Sequence, residues 1–203
     1  KIKGISNQLG ISEDLIKLEP TVIGGMYPSH MEDRVLLNWP EVPPILVDTI
    51  LAVEDQDFFN HYGISLKSIS RAFLRNVQAG EVEQGGSTIT QQLAKSLFFS
   101  SEQTIRRKVL EAIASLIIEF RYSKEEILLA YINDVFLAQS GKRAIHGFGM
   151  GAQHFFGTSI QNLSTDQVAL LVGMLKGPSF YNPRRNPNNA TKRRNLVLRV
   201  LNT

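Results

Sequence analysis

The chain of 203 residues has no cysteine, which excludes disulfides and thiolate metal sites and leaves the compartment open. Neither is needed for stability. A chain of this length buries roughly 70% of the surface its unfolded form exposes, and it fits one domain or one domain with a small appendage. It also lacks any apolar run near the roughly 18 to 20 residues that span a bilayer, so membrane contact should be peripheral or come from a segment outside the chain. No signal peptide precedes Lys1 and no initiating Met is present, which suggests a piece of something longer. Acidic residues are missing from one whole end. Between Gln167 and Thr203 there are none, while Lys176, Arg184, Arg185, Lys192, Arg193, Arg194 and Arg199 all fall there. Against a net charge of only +3, this asymmetry marks either an end drawn to phosphates or anionic lipid heads, or a plain solvated basic face.

Strand character is confined to the start, where 18-LEPTVIGGMY-27 and 34-RVLLNW-39 flank the turn-rich 28-PSHMED-33, as in a hairpin. Residues 1–42 are therefore assigned to a hairpin and linker leading from a preceding segment, and 43–203 to a globular domain. After Pro43-Pro44 the pattern is helical almost to the end. Residues 45–59 carry apolar positions at helical spacing, and Ser65 can cap a helix that places Ile69, Phe73, Leu74 and Val77 on one face before Gly80. Ser100-x-x-Gln103, Ser123-x-x-Glu126 and Ser164-x-x-Gln167 have capping-box form, which predicts helix starts near 101, 124 and 165. Another helix follows Gly85-Gly86, and a last one covers 189–201. The fold class is mainly α.

Three stretches carry chemistry. In 54-EDQDFFNHYGIS-65, Glu54 falls on a helical wheel among Val47, Ile50, Leu51 and Phe58, and Asp55 falls at the edge of that arc. A carboxylate on an apolar face has a raised pKa, which suits a general acid or base; a helix end where Glu54 swings into solvent is the alternative. In 85-GGSTITQQLAKS-96 a helix starting near Ser87 or Thr88 would offer unpaired N–H groups to an anion, and Thr88, Gln92 and Lys95 form a polar stripe opposite Ile89, Leu93 and Leu97. The spacing is not that of a P-loop, so no nucleotide is indicated. In 106-RRKVLEAIASLIIEF-120 the periodicity sends Ile105, Val109, Leu116 and Phe120 to the core and gathers Arg107, Lys108 and Glu111 elsewhere. Cations in a first turn oppose the helix dipole, so they point to a bound anion, or more plainly to an Arg107–Glu111 surface pair. A carboxylate base, a donor stripe and a cationic helix start together suit transfer of a group away from a phosphate or diphosphate.

The series Glu54-Asp55-x-x-Phe58-x-x-His61-x-Gly63, 85-GGSTITQQ-92, Arg107-Lys108-x-x-Glu111 and 124-KEEILLAYINDVFL-137, with 177-GPSFYNPRRNP-187 and 193-RRNLVL-198, resembles the successive motifs of the peptidoglycan glycosyltransferases, family 51. In detail, 139-QSG-141 and 171-LVGMLKGPSFYNP-183 look most like class A bifunctional penicillin-binding proteins of the 1B type. The resemblance implies a lysozyme-like glycosyltransferase fold with a membrane-facing lobe. It also implies polymerisation of lipid II into β-1,4-linked glycan strands, with inversion at the anomeric carbon and release of undecaprenyl diphosphate. By the same resemblance Glu54 is the base on the acceptor 4-hydroxyl and Glu111 the second catalytic carboxylate, near the donor diphosphate. Lys95, Arg107 and Lys108 would neutralise that diphosphate, and Asp55, Phe58, His61, Ser87, Thr88, Gln91 and Gln92 would bind substrate. No cofactor is obligatory, though a Mg2+ or Mn2+ ion at the donor diphosphate, near Glu111, is left open.

The implied partners are lipid II, the growing glycan strand, the membrane surface and a C-terminal transpeptidase domain, with no nucleic acid. The implied place is the periplasmic face of the bacterial inner membrane, with a transmembrane anchor outside this chain. Apolar side chains between Gly80 and Phe99, among them Leu97, Phe98 and Phe99, are expected at the bilayer surface. Three positions depart from the family pattern: Ser65, Ser96 and Ala138. A lysozyme-type hydrolase or lytic transglycosylase is the competing reading, because two carboxylates flanking a glycosidic bond fit either chemistry.

Overall fold

Helices dominate the described residues, which are 32–65, 67, 70, 86–99, 104–141 and 143–202 of a computed structural model. They are α1 (Pro44–Glu54), α2 (Ile89–Phe98), α3 (Ile105–Arg121), α4 (Lys124–Asp134), α5 (Gly147–Phe156), α6 (Thr165–Met174) and α7 (Pro187–Leu201). Three short strands, β1 (Glu32–Arg34), β2 (Phe136–Ser140) and β3 (Arg143–His146), form one sheet in the order β1-β3-β2.

Local chemistry accounts for most helix starts. Pro44 sits at the first position of α1, where its missing N–H costs nothing. The Ser123–Glu126 and Ser164–Gln167 boxes close as their spacing predicts, with Ser123 N–H donating to Glu126 at 2.8 Å and Ser164 N–H donating to Gln167 at 3.0 Å. α3 starts at Ile105 rather than near 101, and its cap is Thr104, whose hydroxyl accepts from Arg107 N–H at 3.1 Å. Ser100 and Gln103 lie outside the described residues, as do the helix expected over 65–80 for all but isolated positions and most of the hairpin expected over 18–39.

The antiparallel hairpin that is seen joins β2 to β3, inside a region the sequence pattern assigns to helix. Strands of four and five residues are too short to show alternation beside the apolar run of α4. β1 lies parallel to β3, with Asp33 opposite Ile145. Asn133 then grips Leu37 from both sides, its side-chain oxygen accepting from Leu37 N–H at 2.8 Å and its amide donating to Leu37 C=O at 2.9 Å. Leu37 and Val42 join the main core, so residues 32–42 pack into the same body as α1.

In that core α6 packs against α7 and α1, α2 against α3 and α4, and α4 against α5. Leu46, Ile50, Phe58, Ile89, Leu128 and Phe148 are wholly enclosed. α3 does not follow its predicted orientation. Ile105 is 87% exposed, Val109 54%, Leu116 45% and Phe120 92%, and the buried residues of α3 are Glu111, Ser115 and Ile118. Periodicity had identified an apolar face correctly, but it carries no information on what covers that face.

Candidate active site

Glu54 is the last residue of α1, and Asp55 leaves the helix with φ −157°, so the two adjacent carboxylates point into different surroundings. Glu54 is only partly buried and accepts a hydrogen bond from the Gln92 amide at 3.0 Å. Burial raises its pKa; the Gln92 hydrogen bond and the charges of Arg193 and Lys176 oppose that rise, and Asp55 adds to it. Arg193 and Lys176 thus belong to the surroundings of the candidate base, although composition had placed them only in a basic tail.

Asp55 is almost fully enclosed, and it does structural work. One oxygen accepts from Ile89 N–H at 3.0 Å, at the start of α2, and the carboxylate meets His61 Nε2 at 3.0 Å. His61 Nδ1 accepts from Gly63 N–H at 3.1 Å, so Nε2 carries the proton and donates to Asp55. Gly63 has φ +82°, and a Cβ there would stand 2.8 Å from the Ser115 carbonyl oxygen. Its own carbonyl accepts from the Thr88 hydroxyl at 2.6 Å. Thr88 caps α2 through Gln91 N–H, while Gln91 returns its side-chain oxygen to Thr88 N–H.

The α2 start, read from sequence as open to an anion, is therefore occupied by the protein's own groups: Asp55 takes one N–H and Thr88 another. Asp55, Phe58, His61, Thr88 and Gln91 form a buried frame rather than an open binding surface. Lys124 closes that frame. It sits 4.4 Å above the Phe58 ring, donates to the His61 carbonyl at 2.6 Å and pairs with Glu119 at 2.7 Å.

A second cluster lies at the start of α3. Glu111 is buried, and its two oxygens are taken by Arg107, at 2.6 Å, and by Lys108. Lys108 also donates to the Ser87 hydroxyl at 2.8 Å, which ties the cluster to the segment leading into α2. α2 and the segment leading into it thus bridge the two carboxylates, meeting Glu54 through Gln92 and Lys108, a partner of Glu111, through Ser87. Lys95 is exposed, one turn beyond Gln92. Both oxygens of Glu111 are taken by cationic side chains, so a divalent cation binding there would have to displace Arg107 or Lys108.

A partly buried carboxylate with a raised pKa and, joined to it through α2 and the residues before it, a second carboxylate held by two cations make a candidate catalytic centre. The chain belongs to the transglycosylase family, whose model matches residues 20–202, and within it to the peptidoglycan glycosyltransferase domains of class A penicillin-binding proteins. It is 50% identical over 186 residues to penicillin-binding protein 1B of Vibrio cholerae, a match covering 92% of this chain and 24% of that protein. To penicillin-binding protein 1B of Escherichia coli it is 51% identical over 185 residues, covering 91% and 22%. The chain thus spans about a quarter of the length of these curated relatives. A crystal structure of penicillin-binding protein 1A from Haemophilus influenzae aligns with 84% of this chain and 15% of its own, at 20% identity and a TM-score of 0.45.

Sequence reasoning missed Tyr131, whose hydroxyl donates to the Gln92 side-chain oxygen at 3.1 Å. The two residues are 39 positions apart and share no spacing pattern, so only the packing of α4 on α2 brings them together.

Proposed function

We propose that this domain polymerises lipid II into β-1,4 glycan strands for bacterial cell-wall synthesis, inverting the anomeric carbon and releasing undecaprenyl diphosphate. Glu54 removes the proton from the acceptor 4-hydroxyl as that oxygen attacks the donor anomeric carbon. The bond from that carbon to the diphosphate oxygen breaks, and the electron pair leaves with the diphosphate. Arg107, Lys108 and Lys95 meet the charge that develops there, with Glu111 holding the first two in place. The observation that carries this reading is Glu54, partly open, with its charge disfavoured by burial and answered by one amide and two cations.

The exposed apolar row on α3, with Leu97 and Phe98 at 52% and 63% exposure on α2, supports contact with the membrane from which such a substrate is drawn. Phe99 is less exposed than its neighbours. No helix among the described residues is long and apolar enough to cross a membrane, and an anchor and a transpeptidase domain are assigned to the rest of a longer protein.

The test is incubation of purified protein with lipid II. Glycan polymer should form, and Glu54→Gln should lower its rate by about 10² to 10⁴. Cleavage of preformed glycan without polymerisation would instead point to a hydrolase, and an unchanged rate in Glu54→Gln would remove the base from Glu54.

A further inference from the structure

We propose that Tyr131 is a positioning residue of the reaction: its buried hydroxyl fixes the Gln92 side chain in the one orientation in which the amide NH2 donates to Glu54. The inference rests on Glu54 being the base. An ionised carboxylate can only accept, so the amide group facing it must be the NH2 and not the oxygen. That leaves Gln92 Oε1 turned the other way, where a donor is required, and the Tyr131 hydroxyl supplies it at 3.1 Å.

The location of Tyr131 makes the hydroxyl the informative part of this residue. On α4 it lies among Ile127, Leu128 and Ile132, all buried, and a phenylalanine would fill the same space. Its ring is 2% exposed, so an unpaired hydroxyl there would carry a desolvation cost. Burial, together with the negative charges of Glu54 and Asp55, pushes the Tyr131 pKa well up, which keeps the phenol protonated at any pH where the enzyme works. Tyr131 is thus a permanent donor at one end of a three-member chain whose other end is Glu54.

The polarity of this chain depends on the state of Glu54. Protonated Glu54 could donate to Gln92 Oε1, and the amide would then turn its NH2 toward Tyr131. The phenol could accept from that NH2 only by leaving its own proton without the acceptor it has in Gln92 Oε1, so Tyr131 opposes the reversal and favours the ionised base. Without it, the protonation state of Glu54 alone sets which way the amide faces.

The experiment compares wild type, Tyr131→Phe, Gln92→Leu and the double variant in lipid II polymerisation across pH, with melting curves confirming folding. Tyr131→Phe should lower kcat about five-fold at neutral pH with KM unchanged, the loss of one hydrogen bond expressed as a rate. The acid limb of its kcat/KM profile should move to higher pH, and the substitution should have no further effect in the Gln92→Leu background. Carboxyl ¹³C titration of Glu54 reads the same displacement without turnover. A slower Tyr131→Phe enzyme with an unmoved acid limb and an unmoved Glu54 titration would overturn the inference, as would effects that add in the double variant. Failure of the base reading itself is separate, because it appears as full activity in Glu54→Gln whatever Tyr131 does.

Discussion

Glu54 sits in a place that resists its charge, and the sign of that effect bears on stability and on the activity proposed for it. Its folded pKa is raised above the ordinary glutamate value of about 4.3, so the folded state holds its proton more tightly than the unfolded chain does. The associated stability is fully present below the unfolded value and is lost as pH rises through the folded one. Activity should therefore fall on the acid side through a pKa above that of free glutamate, and Glu54→Gln should melt at or above the wild-type temperature at pH 8. That advantage should shrink as the pH is lowered toward 4; calorimetry across pH reads it, and a wild-type protein that melts higher at pH 8 would show that ionised Glu54 is not held at a cost. Asp55 was legible at the edge of the apolar arc and, by resemblance, as a substrate-binding residue, but its task of capping α2 was not, because spacing cannot tell a buried frame from an open pocket. Gly63 belongs to the same frame. Gly63→Ala forces a side chain into a positive-φ position and against the Ser115 carbonyl, and should cost about 1–3 kcal/mol in urea unfolding.

At the scale of elements, α3 combines two opposite demands. Its inner side buries Glu111 beneath Arg107 and Lys108, whereas its outer side leaves Ile105, Val109, Leu110, Ile113, Leu116, Ile117 and Phe120 exposed by 43–92%. This helix, apolar on its solvent side, is anchored by buried Glu111, Ser115 and Ile118 and by the packing of α2 along it. If the outer face meets a bilayer, each large side chain that enters apolar surroundings contributes about 1.5–3 kcal/mol. Phe98→Asp and Phe120→Asp should each weaken binding to phosphatidylcholine vesicles by roughly ten-fold or more on that scale, with melting temperatures near wild type because neither ring is in the core. Equal sedimentation of wild type and both variants with vesicles would exclude this face as the contact. The amphipathic pattern of α3 was plain in the sequence. Its orientation was not, since an apolar stripe reads the same against a protein core and against lipid.

Across the whole molecule, helix starts were legible at Ser123 and Ser164, where capping boxes close, but not at α3, which Thr104 caps, and the mainly α class followed from the helical pattern. What escaped were long-range meetings: Gln92 with Tyr131, Glu54 with Arg193 and Lys176, and β1 with β3 across more than a hundred residues. The charge asymmetry of the C-terminal end was visible at once, and the fold gives it a shape. Lys192, Asn195 and Arg199 on α7 line an open cavity of about 570 Å3. If both meet a membrane, a cationic α7 and an apolar α3 would attach to it in different ways, and salt would separate the two. Raising ionic strength from 0.1 to 1 M shortens the screening length from about 10 to about 3 Å and leaves apolar burial intact. Binding to neutral vesicles should therefore change little over that range, whereas the extra affinity for vesicles containing phosphatidylglycerol should disappear. Lys192→Glu with Arg199→Glu should remove the same increment at low salt, at about 1 kcal/mol for each cation lost near an anionic surface, without touching neutral-vesicle binding. A phosphatidylglycerol preference that survives 1 M salt, or survives both charge reversals, would mean that α7 does not read lipid charge and that its cations serve the substrate beside Glu54 alone.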